Sequence, residues 1–283
     1  MNTTLTPPTT PEAPQTPPPA RRSSAQVVAI LAIALGGILV LGTIATATLS
    51  AIRSTAVHTD TLTADVRGVT GLDVDVSTAE LTIAYGDVDE AVLSITGDGG
   101  ATEWRLTRDA GDLVVSSDRP WWTGWRWFGD DERATLTLPE RFADTVLDAS
   151  FGISAGSIIA TGTYDELGLD LSAGSITVDG TARALDVSVS AGRAVLDLAD
   201  VRTAELDVSA GAVDGRLTGT APNEVIVEAS AGRIDLGLPA APYAVSSDVS
   251  AGDFTHELST DPSSRNRVSV QVSAGAVHLF PER

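Results

Sequence analysis

The tripeptide Ser-Ala-Gly occurs seven times in the second half of this chain, with its serines at Ser154, Ser172, Ser190, Ser209, Ser230, Ser250 and Ser273. Successive copies are 18, 18, 19, 21, 20 and 23 residues apart. A near-constant period of about twenty residues is the mark of a stacked repeat, in which each copy is one rung and can bury its apolar side only against its neighbours. No other feature of the sequence limits the fold as strongly.

The residues around the triplet say what a rung is made of. One, three and five positions before Ser172 stand Leu171, Leu169 and Leu167; before Ser190, Val189, Val187 and Leu185; before Ser273, Val272, Val270 and Val268. Two, four and six positions after Gly192 stand Ala194, Leu196 and Leu198, and after Gly232, Ile234, Leu236 and Leu238. Each flank therefore reads as a strand with one apolar face. The two flanks are out of phase: Leu171 and Ile176 are five residues apart, and strict alternation would send them to opposite faces. The triplet must reset the phase. The expectation is a tight corner in which Gly156, Gly174, Gly192, Gly211, Gly232, Gly252 and Gly275 supply the backbone freedom of a bend, and Ser and Ala are small enough to stack. One copy, Gly152-Ile153-Ser154-Ala155-Gly156, matches the nucleophile elbow G-x-S-x-G. That motif requires a helix after the serine, whereas a strand pattern follows here, so Ser154 reads as a corner and not as a nucleophile.

A worn eighth copy precedes the series. Residues 72–83, LDVDVSTAELTI, place Val76 and Leu81 five apart across Ser77-Thr78-Ala79-Glu80, and read as the first rung. Residues 92–138 interrupt the pattern with hairpin-like strands. The run VDVSTAELTI, then ATLTLPERF, then successive LDLSAGSITVDG-like rungs resembles the bacterial "putative adhesin" or toast-rack domain family over about residues 60–283. The resemblance implies a β-rich repeat fold, a preceding membrane segment and a connection with cell-envelope stress. It offers no catalytic motif to carry over.

Upstream the composition changes abruptly. Residues 1–24 are rich in proline and threonine and nearly devoid of large apolar side chains, the composition of a disordered tail. Residues 25–52 hold no charge and as a helix would run about 42 Å, enough to cross a bilayer core of roughly 30 Å. Arg21 and Arg22 before this stretch favour a cytoplasmic N-terminus. Ala45-Thr46-Ala47 also fits a signal-peptide cleavage site, but the apolar run is longer than a signal core. The sequence thus predicts a single-pass anchor, a linker at 53–59 and an extracytoplasmic all-β solenoid over 60–283.

That body is acidic. The whole chain carries −20, and residues 54–283 hold 15 arginines against 37 acids. Such a surface excludes phosphate-backbone recognition and hence nucleic acid. The chain has no cysteine, which excludes disulfides, thiol catalysis and thiolate metal sites.

One segment stands apart from the repeat. PWWTGWRWFGDDER, residues 120–133, concentrates Trp121, Trp122, Trp125, Trp127 and Phe128 around Arg126. Two readings stay open, a cap over the open end of the stack or a contact site for a glycan, a protein or the membrane interface. The acids two before the serines, Asp170, Asp207, Glu228 and Asp248, are expected to project outward from successive rungs as a solvated face. His58, His256 and His278 lack ligand spacing, so no metal and no cofactor are expected. The resulting expectation is a non-catalytic, membrane-anchored domain that binds an envelope component or protein partner. The alternatives are a carbohydrate-active enzyme on a β-helix body, using carboxylates near the tryptophans, or a purely structural spacer.

Overall fold

The computed structural model describes residues 58–97, 103–118 and 132–282. The stretch 25–52 lies outside them, and among the described residues no helix is long and apolar enough to cross a membrane. Among the described residues twenty strands follow one another, with one short 3₁₀ turn at Glu140–Phe142. The first seven are β1 (His58–Ala64), β2 (Gly71–Val76), β3 (Glu80–Gly86), β4 (Ala91–Gly97), β5 (Glu103–Asp109), β6 (Asp112–Asp118) and β7 (Arg133–Pro139). The middle of the chain supplies β8 (Val146–Ile153), β9 (Ser157–Leu171), β10 (Ser175–Val189), β11 (Arg193–Ala199), β12 (Thr203–Val208), β13 (Ala212–Thr218), β14 (Glu224–Ala229) and β15 (Arg233–Pro239). The last are β16 (Pro242–Val249), β17 (Asp253–His256), β18 (Ser259–Thr260), β19 (Arg267–Val272) and β20 (Ala276–Glu282).

The repeat folds as rungs of two strands joined at the Ser-Ala-Gly corner and stacked in parallel. Strands before the corner form one ladder, in the order β5, β6, β2, β8, second half of β9, second half of β10, β12, β14, β19, β16. Strands after it form the other, in the order β1, β4, β7, β3, first half of β9, first half of β10, β11, β13, β15, β20, β17. β9 and β10 run unbroken through the second bend of their rungs, which joins both ladders into one open sheet.

The phase reset is as the spacing requires. Leu171 and Ile176 are both fully buried, as are Leu206 and Val213 on either side of the next-but-one corner, while Asp207 is exposed. The alternating apolar positions of both ladders form one continuous core.

The corner works differently from the expectation. Of the seven triplet glycines only Gly174 adopts a left-handed φ, at 100°. What excludes a side chain at the others is the layer beneath. A Cβ on Gly192 would lie 2.7 Å from the carbonyl oxygen of Gly174, and one on Gly232 would lie 2.8 Å from that of Gly211. At Gly156, Gly174, Gly211, Gly252 and Gly275 it would overlap the carbonyl oxygen of Ala79, Gly156, Gly192, Gly275 and Gly232 respectively. Corners of successive layers are hydrogen-bonded to one another: Ala173 N–H donates to Ser154 O at 2.9 Å, Ala210 to Ser190 O at 2.9 Å and Ala231 to Ser209 O at 2.7 Å. The ladder therefore does not break at the turn, and glycine is needed because the backbones stack at hydrogen-bonding distance.

The order of layers differs from the order in sequence at both ends. The rung of β2 and β3 comes first in the chain, but β6 and β7 form a layer outside it. The stretch 92–138 thus contributes a full rung as well as hairpin strands: β5 and β4 pair antiparallel on the outer edges of β6 and β7, and β1 pairs antiparallel on β4. At the other end, the rung of β19 and β20 lies between β14–β15 and β16–β17. The chain passes one layer outward, then returns to fill the layer it skipped.

Candidate functional site

The stack presents three surfaces to solvent: the outward face of each ladder and the C-terminal end. Trp121, Trp122, Trp125, Arg126, Trp127 and Phe128 of the tryptophan-rich segment lie outside the described residues. The chain leaves the described residues after Asp118, at the end of β6, and re-enters at Glu132, just before β7. This is the corner position of its layer. Glu132 is held there by Trp104 of β5, whose indole Nε1 donates to Glu132 Oε1 at 2.8 Å.

The outward face of the pre-corner ladder is acidic. The column that contains the four acids read from the repeat runs Asp75, Gly152, Asp170, Ser188, Asp207, Glu228, Gln271, Asp248. Asp207 and Glu228 are direct cross-strand neighbours. Asp170 is separated from Asp207 by Ser188, and Glu228 from Asp248 by Gln271, because the last two layers are exchanged. The neighbouring column adds Asp73, Asp186 and Glu205, which the triplet-centred count did not single out. They stand four positions before the serine rather than two, and the same alternation would have found them.

Adjacent strands lie about 4.8 Å apart, and like charges directly opposite one another are destabilising. Crowding on the sheet takes water from these carboxylates, and charge repulsion adds to it. The pKa of Asp186 is raised first by desolvation and then by Asp170 and Asp207. That of Glu205 is raised by desolvation and then by Asp186, Glu228, Asp207 and Glu224. Asp75 and Asp73 are raised in the same way, with Asp118 and Asp170 acting on the first and Asp75 and Asp112 on the second. Among the described residues no three His, Asp or Glu side chains are arranged to hold a metal ion.

The outward face of the post-corner ladder is mixed. Arg193 pairs with Asp214 one layer on, and Arg233 with Asp235 in its own strand. His278 lies 3.5 Å from Asp235 and 3.8 Å from Glu257. Ile159 and Val195 are exposed among these polar side chains, at 42% and 39%.

Ser154 sits at a corner followed directly by strand β9, so the G-x-S-x-G match lacks the helix that the hydrolase elbow requires.

The C-terminal end of the stack is where the apolar phase meets solvent. Val227 and Val270 are buried in their layers, whereas Ser247, the next residue in that column, is exposed. Val272 is buried and its neighbour Val249 is 40% exposed. His256 follows the apolar phase, as the sequence indicates, but as part of the outermost layer it is exposed, its ring 5.4 Å from that of Phe254.

No family model matches the sequence, and no curated protein matches it. Solved structures do. A putative adhesin from Bacteroides fragilis is 16% identical with a TM-score of 0.48, over 81% of this chain and 98% of that one. A putative adhesin from Parabacteroides distasonis is 8% identical with a TM-score of 0.47, over 78% and 96%. A putative cell adhesion protein from Clostridium sporogenes is 11% identical with a TM-score of 0.41, over 80% and 100%. At these values the reading of function rests on the geometry of this chain itself.

Proposed function

We propose that this protein is a non-catalytic binding domain of the cell envelope, held at the outer side of a membrane by the uncharged stretch 25–52 and engaging an envelope protein or glycan. The observation that carries the reading is the stack itself. Its corners are hydrogen-bonded from layer to layer, its core is continuous, and its outward side chains form columns along two ladders. Such a body offers extended, rigid surfaces for contact. The tryptophan-rich segment, which lies between β6 and β7 in the sequence, is the contact element favoured by composition, since Trp and Arg are the side chains that anchor interfaces.

The test is capture from solubilised cell envelope. The bait is the full-length chain, beside a variant with Trp121, Trp122, Trp125 and Trp127 changed to serine, with circular dichroism checked on both. The expected result is a captured protein or glycan that the folded variant loses. Cleavage of a glycan by the purified protein would overturn the non-catalytic reading. Unfolding of the variant would assign the tryptophans to a cap.

A further inference from the structure

The two ends of the stack are closed differently. At the N-terminal end the outermost parallel layer carries antiparallel strands on both of its edges, β5 on β6 and β4 on β7. Beneath them Leu113, Val115 and Ser117 of β6 are at most 1% exposed. At the C-terminal end no strand among the described residues covers β16 in an equivalent way. The strap that leads from β17 back to β19 pairs with β16 only through β18, at Pro242 and Tyr243, and the Asp261 N–H closes that contact on Tyr243 O at 2.9 Å.

Beyond Tyr243 no described residue pairs with the outer edge of β16, and the hydrogen-bonding direction of that edge can be assigned. Ala244 N–H donates to Asn266 O and Ser250 N–H to Val272 O, both toward β19. In a parallel ladder alternate residues bond to the same neighbour. Val245, Ser247 and Val249 therefore direct their N–H and C=O groups away from the stack. The same residues are in the apolar phase of the rung. A cavity of about 590 Å³ opens at this end, lined by Tyr243, Val245, Phe254, His256, Thr260 and Pro262 among others.

The chain's own N-terminal cap shows what fits such an edge. In β5, Trp104 lies opposite Ser117, Arg105 opposite Ser116 and Leu106 opposite Val115. Followed layer by layer through the stack, these three columns end at Val249, Asp248 and Ser247. A strand patterned like β5 would thus set its aromatic residue over Val249, its aliphatic residue over Ser247 and its arginine opposite Asp248. Arg105 makes a diagonal form of this pair at the other end, reaching Asp118, two residues beyond the Ser116 it faces, at 2.8 Å. The charge at the open end suits it: Asp248 is exposed on β16 itself and Asp261 stands beside Tyr243 at the start of the edge, and Arg265 is the one arginine between β16 and β19.

We propose that the free edge of β16 receives an extended segment of a partner protein as an added antiparallel strand, with apolar side chains at alternate positions and an arginine between them opposite Asp248. Main-chain hydrogen bonds supply affinity in this mode, and the alternate side chains supply specificity. The site uses none of the residues changed in the capture experiment above, so its test is independent of that one.

The probe is a fluorescent peptide with the β5 sequence, Glu-Trp-Arg-Leu-Thr-Arg-Asp, titrated against the full-length chain in mild detergent and followed by anisotropy. Saturable binding is expected, with slowed hydrogen exchange at the amides of Ser247 and Val249. Ser247→Pro removes a free N–H without touching the bonds to β19, and proline is tolerated on an edge strand; it should weaken binding at least about tenfold. Asp248→Arg provides a second, exposed change. It should weaken binding of this probe and improve binding of a probe with glutamate in place of the first arginine. Failure to saturate by about 1 mM probe, a range in which even weak association registers, would overturn the proposal. So would a Ser247→Pro variant that folds and binds as the parent does, or a charge swap without effect. Concentration-dependent dimers that Ser247→Pro abolishes would overturn it in favour of a second copy as the occupant.

Discussion

At the scale of the residue, the Ser-Ala-Gly corner shows how one requirement can be read correctly from sequence and its cause misassigned. The five-residue interval between Leu171 and Ile176 is enough to locate a phase reset, and both side chains are buried as it demands. A positive φ is the familiar reason for glycine at a bend, yet only Gly174 among the seven has one. The reason common to all is the neighbouring layer, whose carbonyl occupies the space of a Cβ, and no single rung taken alone contains that information. A substitution separates the two causes. Gly211 has no left-handed φ, but a Cβ there would overlap both Gly192 O and Val189 Cγ1. Gly211→Ala should destabilise the domain by about 1–3 kcal/mol, the cost of overpacking where backbone cannot yield. Gly168 lies mid-strand, where the nearest atom to an added Cβ is Ala149 O at 3.9 Å. Gly168→Ala should change stability by less than about 0.5 kcal/mol. Denaturant midpoints of the two variants decide the matter, and equal midpoints would remove the stacking explanation.

At the scale of the element, the acidic ladder makes a prediction about pH. Asp73, Asp75, Asp186 and Glu205 have pKa values above the ordinary ones of 3.8 for aspartate and 4.5 for glutamate. A carboxylate raised in the folded state opposes folding while charged. That opposition is relieved as pH falls from neutral through the raised value, and is gone below the ordinary one. Asp165, Asp235 and Asp200 behave oppositely. A side-chain hydrogen bond from Arg183 lowers the first and one from Arg233 the second, while the backbone N–H of Thr220, seconded by its hydroxyl, lowers the third. Their support is complete above the ordinary pKa and is lost as pH falls through their lowered values. Stability should therefore rise as pH falls from 7 into the range where the raised carboxylates protonate, and fall again as the lowered ones do. Asp186→Asn with Glu205→Gln should flatten the rise, because it relieves repulsion among Asp170, Asp207, Glu224 and Glu228 on the same face. The pair should also stabilise the domain at pH 7 by roughly 0.5–1 kcal/mol. Thermal melts between pH 7 and 3.5 test this, and a parent profile that declines steadily from pH 7 would show that the face is too well solvated to matter. The two outward columns were legible as a class, since alternation fixes which residues face out. Their neighbours across layers were not, because register between rungs depends on which rungs are adjacent.

At the scale of the whole molecule, adjacency is the property that the sequence withheld. The steps of 20 and 23 residues that bracket the last copies look alike, and only the longer one, which holds the strap and β18, marks the place where the chain doubles back. Both terminal rungs are consequently interior layers: β2 and β3 lie under β6 and β7, and β19 and β20 lie under β16 and β17. A simple stack frays from its last rung, where only one neighbour holds each strand. Here the last rung in sequence has two neighbours, and the rung before it has one. Hydrogen exchange should therefore be slower in β20, near the C-terminus, than in β17, some twenty residues earlier. Ending the chain at residue 264 should cost two layers rather than one, since β16 and β17 pair with the stack only through β19 and β20. Tyr243 reports on this loss. It is fully buried and its hydroxyl donates to Pro239 O at 2.8 Å. In the shortened chain a chymotrypsin-like protease should cut after Tyr243 while leaving the β12–β15 layers intact. If Tyr243 stays protected without β19 and β20, the outer layer has a hold of its own and the clasp is not what retains it.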